Sequence, residues 1–177
     1  MEQAANKAVG DVHPVIAAEQ VMQFSPSPDR PALRSELEAT RSAFQALAES
    51  LSDDQWQQKS PASAWSVGEV LVHLTWALEQ LPKEVASARR GKGMFNFPKW
   101  LADPLSYWIT RWTARNATRE SIVRQYDMAM AAVIHALDEV QESDWRLGAQ
   151  FYGHGFYTIE DLFHTPAEHF AEHTAGL

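Results

Sequence analysis

The sequence predicts an all-α fold, a four-helix bundle with a long crossover, containing a short helix, between helices 2 and 3. Three observations lead to this prediction. Apolar residues recur at helical spacing in four long segments of the 177-residue chain. Start signals of the cap-x-x-acid kind precede the second and fourth of these segments. We find no sustained alternation of apolar and polar residues and no Asn-Gly or Asp-Gly turn, so no β-strand is expected.

Length and composition indicate a single globular domain of ordinary size. Hydrophobic residues make up 45% of the chain and charged residues 21%, close to the averages for soluble proteins. The formal net charge of −8 argues against a nucleic-acid partner, because such binding needs a basic face. No segment approaches the ~20 apolar residues that span a bilayer, and no signal peptide is evident. We expect a cytoplasmic protein without a membrane partner.

The chain contains no cysteine. This excludes disulfides, thiolate metal ligands and a cysteine nucleophile together. Any metal must therefore be held by histidine, aspartate or glutamate. Any thiol that takes part in a reaction must arrive on a small molecule.

The domain is expected to occupy residues 29–177, after an N-terminal extension and linker over residues 1–28. A short helix is predicted from Pro14 to Phe24, and the segment SPSPDRP forms a stiff linker because each proline restricts the backbone. The first main helix follows from about Pro31 to Leu51. Its apolar residues share one face: Leu33, Leu37, Phe44, Leu47 and Leu51.

The second helix has the clearest start signal. In SVGE, the Ser66 side chain is expected to accept from the Glu69 backbone while the Glu69 carboxylate reaches back, which is a capping box. The helix then runs toward Arg90, and Pro82 is a point at which it can kink.

A long crossover is predicted over residues 91–117, because RGKGMFNFPKW interrupts the apolar pattern with two glycines and a proline. Asp103 followed by Pro104 resembles an N-cap with proline at the first helical position, which predicts a short helix. The crossover aromatics either line a pocket or pack on the bundle as a lid: Phe95, Phe97, Trp100, Tyr107, Trp108 and Trp112.

The third main helix is predicted over residues 118–140, and a glycine-containing loop follows it. The last segment offers two helix starts, at Thr158 and Thr165. Because Pro166 cannot donate to the Leu162 carbonyl, the helix either kinks or restarts there. The long crossover allows the second and third helices to lie parallel, whereas the short first connection favours antiparallel neighbours.

Three histidines form the candidate metal site. His169 and His173 are four residues apart and so lie on one helix face, about 6 Å from each other. At that spacing two imidazoles can reach one ion at about 2.0–2.1 Å. His73, on the edge of the apolar stripe of the second helix, is the candidate third ligand. The competing interpretation is a border histidine with one nitrogen bonded to solvent.

The other polar candidates are weaker. Glu168 and Glu172 each precede a histidine by one position, so their side chains point about 100° away from that histidine around the helix axis. Either can still orient a metal ligand through a hydrogen bond to its ring. Glu69, one turn before His73, is the candidate general base. The remaining histidines are expected to be surface or hydrogen-bonded residues: His13, His135, His154 and His164.

The segments PASAWSVGEVLVHL and EHFAEH, ~90 residues apart, resemble the DinB-like (YfiT-type) metal-binding four-helix bundles. The resemblance runs from about Leu33 to the C-terminus. In that family a tryptophan and a capping serine open the second helix, a histidine seven residues after the serine binds the metal, and an H-x-x-x-H pair on the fourth helix completes the site. The matching positions here are Trp65, Ser66, His73, His169 and His173.

The resemblance implies a divalent ion, which is zinc, nickel or iron in different members, with three imidazole ligands and at least one open position. Such an ion can acidify a thiol or a water near neutral pH. Relatives include transferases and isomerases that use low-molecular-weight thiols such as bacillithiol or mycothiol. The hypothesis is a metal-dependent thiol S-transferase or hydrolase with a small-molecule substrate. The alternative is a non-enzymatic, metal-stapled bundle that binds a partner or forms a homodimer.

Overall fold

The computed structural model describes residues 27–94, 99–151 and 155–177, which form six α-helices and one β-hairpin. The predicted helix from Pro14 to Phe24 lies outside these ranges, as do His13, Phe95, Phe97 and His154. The elements in chain order are α1 (Arg30–Ser50), α2 (Asp53–Gln57), α3 (Val67–Ala88), α4 (Lys99–Ala114), α5 (Arg119–Asp138), β1 (Gly148–Phe151), β2 (Gly155–Thr158) and α6 (Ile159–Thr174). The prediction of a helical bundle is confirmed.

Helices α3 and α6 begin at predicted caps, Ser66 and Thr158. Ser66 Oγ accepts from the Glu69 backbone N–H at 3.2 Å, and Glu69 Oε2 accepts from the Ser66 N–H at 2.8 Å. At the start of α1, Asp29 Oδ1 accepts from the Ala32 N–H at 3.1 Å. These side chains satisfy backbone donors that the first helical turn leaves free.

Helix α2 is an element that the sequence analysis did not predict, since the first helix was expected to end at about Leu51 and the next to begin at Ser66. Ser52 caps it, and the Gln55 side chain accepts from the Ser52 N–H at 2.8 Å, which completes a capping box. The signal was present as a serine followed three residues later by glutamine.

Two prolines lie inside helices rather than at their starts. Helix α4 begins at Lys99 and contains Pro104, so the predicted start at Asp103-Pro104 is wrong; a proline removes one backbone bond and the helix continues on both sides. Helix α6 is continuous through Pro166. The Thr165 hydroxyl donates to the Leu162 carbonyl at 2.7 Å, replacing the missing N–H.

The expectation of no β-strand is wrong. Strands β1 and β2 pair antiparallel with Gly148 opposite Thr158 and Phe151 opposite Gly155. Each strand has four residues, too few for an alternating pattern to stand out. Gly148 is required because a Cβ there would lie 2.2 Å from the Tyr157 carbonyl oxygen, and Gly155 has a φ of +110°.

Helices α1, α3, α5 and α6 pack around one core. Helices α1 and α5 are antiparallel, since Arg41 near the middle of α1 pairs with Asp127 at 2.8 Å and Arg30 at its start bonds to Leu137 near the end of α5. Arg89 at the end of α3 donates to the Glu139 carbonyl at 3.0 Å. Helices α3 and α5 therefore run parallel, as the long crossover allowed.

The core is apolar and well buried. Its largest fully buried side chains come from α1, α3, α5 and α6: Leu37, Phe44, Leu71, Ile122, Met130, Leu137, Ile159 and Phe163. Within the described ranges, every helix is too short or too polar to pass through a bilayer.

Candidate metal centre

The structure brings the three predicted histidines together. His73 lies in the second turn of α3 and is 8% exposed, while His169 and His173 are half-buried on the last turns of α6. Nε2 of His73 is 3.2 Å from Nε2 of His169. One ring nitrogen of each histidine lies within 4.8 Å of the other two. Two helices distant in the chain thus place three imidazoles at one point.

Trp65, the residue before the Ser66 cap, packs against this cluster. Its ring centroid lies 4.5 Å from that of His73 and 6.0 Å from that of His173. The capping box fixes where α3 begins, so the same local signal sets the positions of Trp65 and His73. The indole restrains two of the three rings.

Burial keeps the imidazoles of His73 and His173 neutral at physiological pH. It lowers the pKa of His73 to about 3, and the proximity of His169 and His173 lowers it further. Burial also lowers the pKa of His173, against an opposing effect of Glu172. Neutral rings offer lone pairs to a cation, which is the form that metal binding requires.

The geometry fits a divalent ion. Two nitrogen ligands at about 2.1 Å from one ion lie roughly 3.0–3.4 Å apart, and the His73 and His169 nitrogens are 3.2 Å apart. Nδ1 of His73 is buried and has no hydrogen-bond partner within the described part of the chain, which leaves Nε2 as the nitrogen that faces the cluster. Three neutral nitrogen donors suit zinc, nickel or iron.

The histidines open into a cavity of about 860 Å³. Its walls come from α3, α4, α5, α6, the hairpin and the segment before α3. They are mainly apolar and aromatic, and include Ala77, Leu81, Tyr107, Tyr126, Phe151 and Tyr157. A site of this size and character holds a small organic molecule.

The crossover contributes less to this cavity than its aromatic content suggested. Of the described crossover aromatics, Tyr107 lines the cavity. Trp100, Trp108 and Trp112 are 75%, 64% and 72% exposed, so they form neither the pocket wall nor a lid packed on the bundle.

Glu69 lies apart from the cavity. Its Oε2 accepts from the Ser66 backbone at 2.8 Å and its Oε1 is 3.3 Å from Arg111 Nε. It lines a separate cleft with Trp56 and Trp108. The structure therefore gives this carboxylate two local contacts, and its role as a general base stays a prediction.

The other predicted polar residues divide into two groups. Glu168 and Glu172 are exposed yet reach the rim of the cavity beside the histidines. His164 Nδ1 lies 2.9 Å from Glu36 Oε2, and His135 is exposed on α5. Neither of these two histidines belongs to the cluster.

Sequence reasoning missed a carboxylate in the cavity wall. Glu84 lines the cavity on the same helix as His73. The available signal was its spacing: Glu84 is eleven residues after His73, which is close to three full turns and places both on one face.

The chain was compared with known proteins. A sequence model of the DinB superfamily matches residues 36–176, which is 141 of the 177 residues. No curated protein matches the chain. The extent of the family match, together with a helical bundle that gathers three histidines, identifies the chain as a member of the DinB superfamily.

Proposed function

We propose that the protein is a divalent-metal-dependent enzyme that acts on a small-molecule substrate by thiol S-transfer or hydrolysis. His73, His169 and His173 are the proposed metal ligands. The observation that carries the proposal is the convergence of these imidazoles at one end of a cavity of about 860 Å³. Enzyme sites are commonly cavities of this size with apolar walls and a few polar groups.

The residues of the chain prepare this site in three ways. Burial keeps His73 neutral, and Trp65 holds two of the imidazole rings in place. The apolar walls exclude bulk water around a substrate that lies against the cluster. A divalent ion, when bound, would supply the positive charge that acidifies a thiol or a water near neutral pH.

A thiol enters the proposal because the chain has no cysteine of its own. A sulfur nucleophile must then arrive on a small molecule, such as the low-molecular-weight thiols that characterised DinB-like proteins use. Hydrolysis stays within the same proposal, because a centre that acidifies a thiol also acidifies water.

Metal content tests the ligand set directly. Elemental analysis of untagged protein should find about one divalent ion per chain, and His73→Ala should lose most of it because three protein ligands are needed for a stable site. The matched control is His135→Ala, whose exposed ring lies on α5 and whose loss should leave the metal content unchanged. Full retention of metal in both His73→Ala and a His169→Ala/His173→Ala double variant would reject the site.

A non-enzymatic bundle is the second candidate. It is favoured by the fact that the histidines come from two helices, with His73 and His169 separated by 96 residues, so that an ion would staple α3 to α6. The homodimer and the cytoplasmic location stay predictions within either function.

The two functions differ in access to the ion, since a structural site is closed whereas a catalytic site keeps an open position. Cobalt-loaded protein should therefore change its visible spectrum when 2-mercaptoethanol is added. An unchanged spectrum at saturating thiol would favour the structural site of a non-enzymatic bundle. A screen for thiol conjugation and ester hydrolysis then separates the two reactions.

A further inference from the structure

The cavity has a second polar end, which the proposed metal centre does not use. Glu84 lines the cavity together with His73, and both project from α3. Eleven residues rise about 16 Å along a helix, and side chains on one face lean in the same direction. Glu84 is therefore too far from the histidines to exchange a proton with a group held there.

Glu84 has no partner within the described residues. The neighbouring cation, Lys83, donates to Gln80 Oε1 at 3.1 Å. Arg89, one turn later, lies 3.1 Å from Asp144. Neither an ion pair nor a hydrogen bond to the Glu84 carboxylate is present in the described ranges. Carboxylates that are largely removed from water are normally paired, so a bound ligand would supply the partner that the described residues do not.

The position of Glu84 makes its negative charge unfavourable in the empty cavity. Burial raises the pKa of the Glu84 carboxyl to about 7. A cation placed against this carboxylate would offset this cost of desolvation.

We propose that Glu84 binds a protonated amine or guanidinium group of the substrate and so directs the opposite end of the molecule toward the three histidines. This inference rests on the proposed function, because it names the chemical class of the small molecule. The substrate is elongated, with its cationic group roughly 12–16 Å from the group that reacts. Charge-assisted N–H···O bonds in a low-dielectric site give the recognition its strength.

The test uses a pair of probes that differ in charge and share a hydrocarbon chain, hexylammonium and 1-hexanol. Both are titrated into the full-length protein at pH 8, and binding is followed by NMR chemical shifts. We expect hexylammonium to bind at least about tenfold more tightly than 1-hexanol, because its ammonium group can form a charge-assisted hydrogen bond with the Glu84 carboxylate. Equal affinity for the two probes would overturn the inference.

Two variants locate the preference. Glu84→Gln keeps the shape of the side chain without its charge, and should reduce the difference between the probes to within about twofold while 1-hexanol binds as before. Glu79→Gln removes an exposed carboxylate from the same helix and should leave the preference intact. A preference that persists in Glu84→Gln would also overturn the inference.

The metal site is tested separately by the His169→Ala/His173→Ala double variant. The preference for hexylammonium should survive in this protein, because the proposed cation site lies at the other end of the cavity. Its loss there would place the ammonium group at the histidines and contradict the inference. A wild type that cannot bind a divalent ion but still prefers hexylammonium would reject the proposed function alone. A wild type that binds the ion but shows no preference would reject the Glu84 site alone.

Discussion

Two residues in the cavity wall have shifted pKa values because burial disfavours their charged forms. His73 has its pKa lowered to about 3, and Glu84 has its pKa raised to about 7. Both shifts have desolvation as their main cause. Perturbed groups that share one cavity are typical of functional sites, and here they mark its two ends.

The stability of the protein should depend on pH through the protonation of Glu84. The carboxyl pKa rises from 4.5 in the unfolded chain to about 7 in the folded protein, so between these pH values the folded state holds a proton that the unfolded state has released. The contribution of Glu84 to the free energy of unfolding is therefore highest below pH 4.5, and it is lost as the pH rises through 7. The loss is on the order of 1–3 kcal/mol.

Glu84→Gln should consequently raise the free energy of unfolding by on the order of 1–3 kcal/mol at pH 8 and change it little near pH 4. Urea denaturation of metal-free protein, followed by circular dichroism at both pH values, measures the difference. The titration of the histidines changes the stability of the wild type and of the variant equally, so it cancels in the difference between them. Glu79→Gln is the control, and its effect on the free energy of unfolding should not depend on pH. A Glu84→Gln variant that is less stable than the wild type at pH 8 would show that burial does not disfavour the Glu84 carboxylate.

Among the elements, α6 depends on a substitute hydrogen bond. Pro166 cannot donate to the Leu162 carbonyl, and the Thr165 hydroxyl donates to it at 2.7 Å. The helix therefore continues for two further turns and carries His169 and His173 to the cluster. Local backbone chemistry in the middle of α6 thus determines where the histidine pair lies.

Thr165→Val should leave the Leu162 carbonyl without this donor at nearly unchanged side-chain shape. We expect the free energy of unfolding to fall by about 1 kcal/mol, measured as a lower urea midpoint at constant m value. Thr174→Val is the control, because its hydroxyl bonds to Phe170 in the last turn and should contribute less than about 0.5 kcal/mol. Equal effects of the two substitutions would show that the proline does not need the threonine.

At the scale of the whole molecule, Arg30 joins the start of α1 to the end of α5. Its guanidinium donates to the carbonyls of Leu137, Asp138 and Val140 at 2.8, 2.9 and 2.7 Å. It also lies 5.2 Å from the centre of the Trp145 ring. One planar side chain therefore satisfies several carbonyls that the end of α5 leaves free.

Arg30→Lys should lower the free energy of unfolding by about 2 kcal/mol, because an ammonium group cannot reach three carbonyls with fork geometry. The matched control is Arg34→Lys, one turn later, where Arg34 makes a half-exposed ion pair with Asp138 of the kind that contributes little to stability. Chemical denaturation of both variants at pH 7 provides the comparison. A larger loss in Arg34→Lys would show that the carbonyl contacts are unimportant.

The elements that the sequence predicted are those specified by neighbours in the chain. The apolar stripes of α1, α3 and α5 and the Ser66 capping box depend on spacings of three and four residues, which are visible in the sequence. The hairpin was missed because its strands have four residues each and are held by pairing with each other. The start of α4 was misplaced because a proline at an interior position resembles one at a first position.

The candidate metal ligands were named from the spacing of His169 and His173 and from the family resemblance of the segment around His73. Their meeting depends on how α3 and α6 pack, since the nitrogens that lie 3.2 Å apart belong to residues separated by 96 positions. The cavity likewise arises from four helices, the hairpin and the segment before α3, which enclose one space, and so does the lack of a partner for Glu84 among the described residues. Local hydrogen bonds and helical periodicity depend on residues that are close in the sequence, whereas burial and long-range contacts arise only when the helices pack.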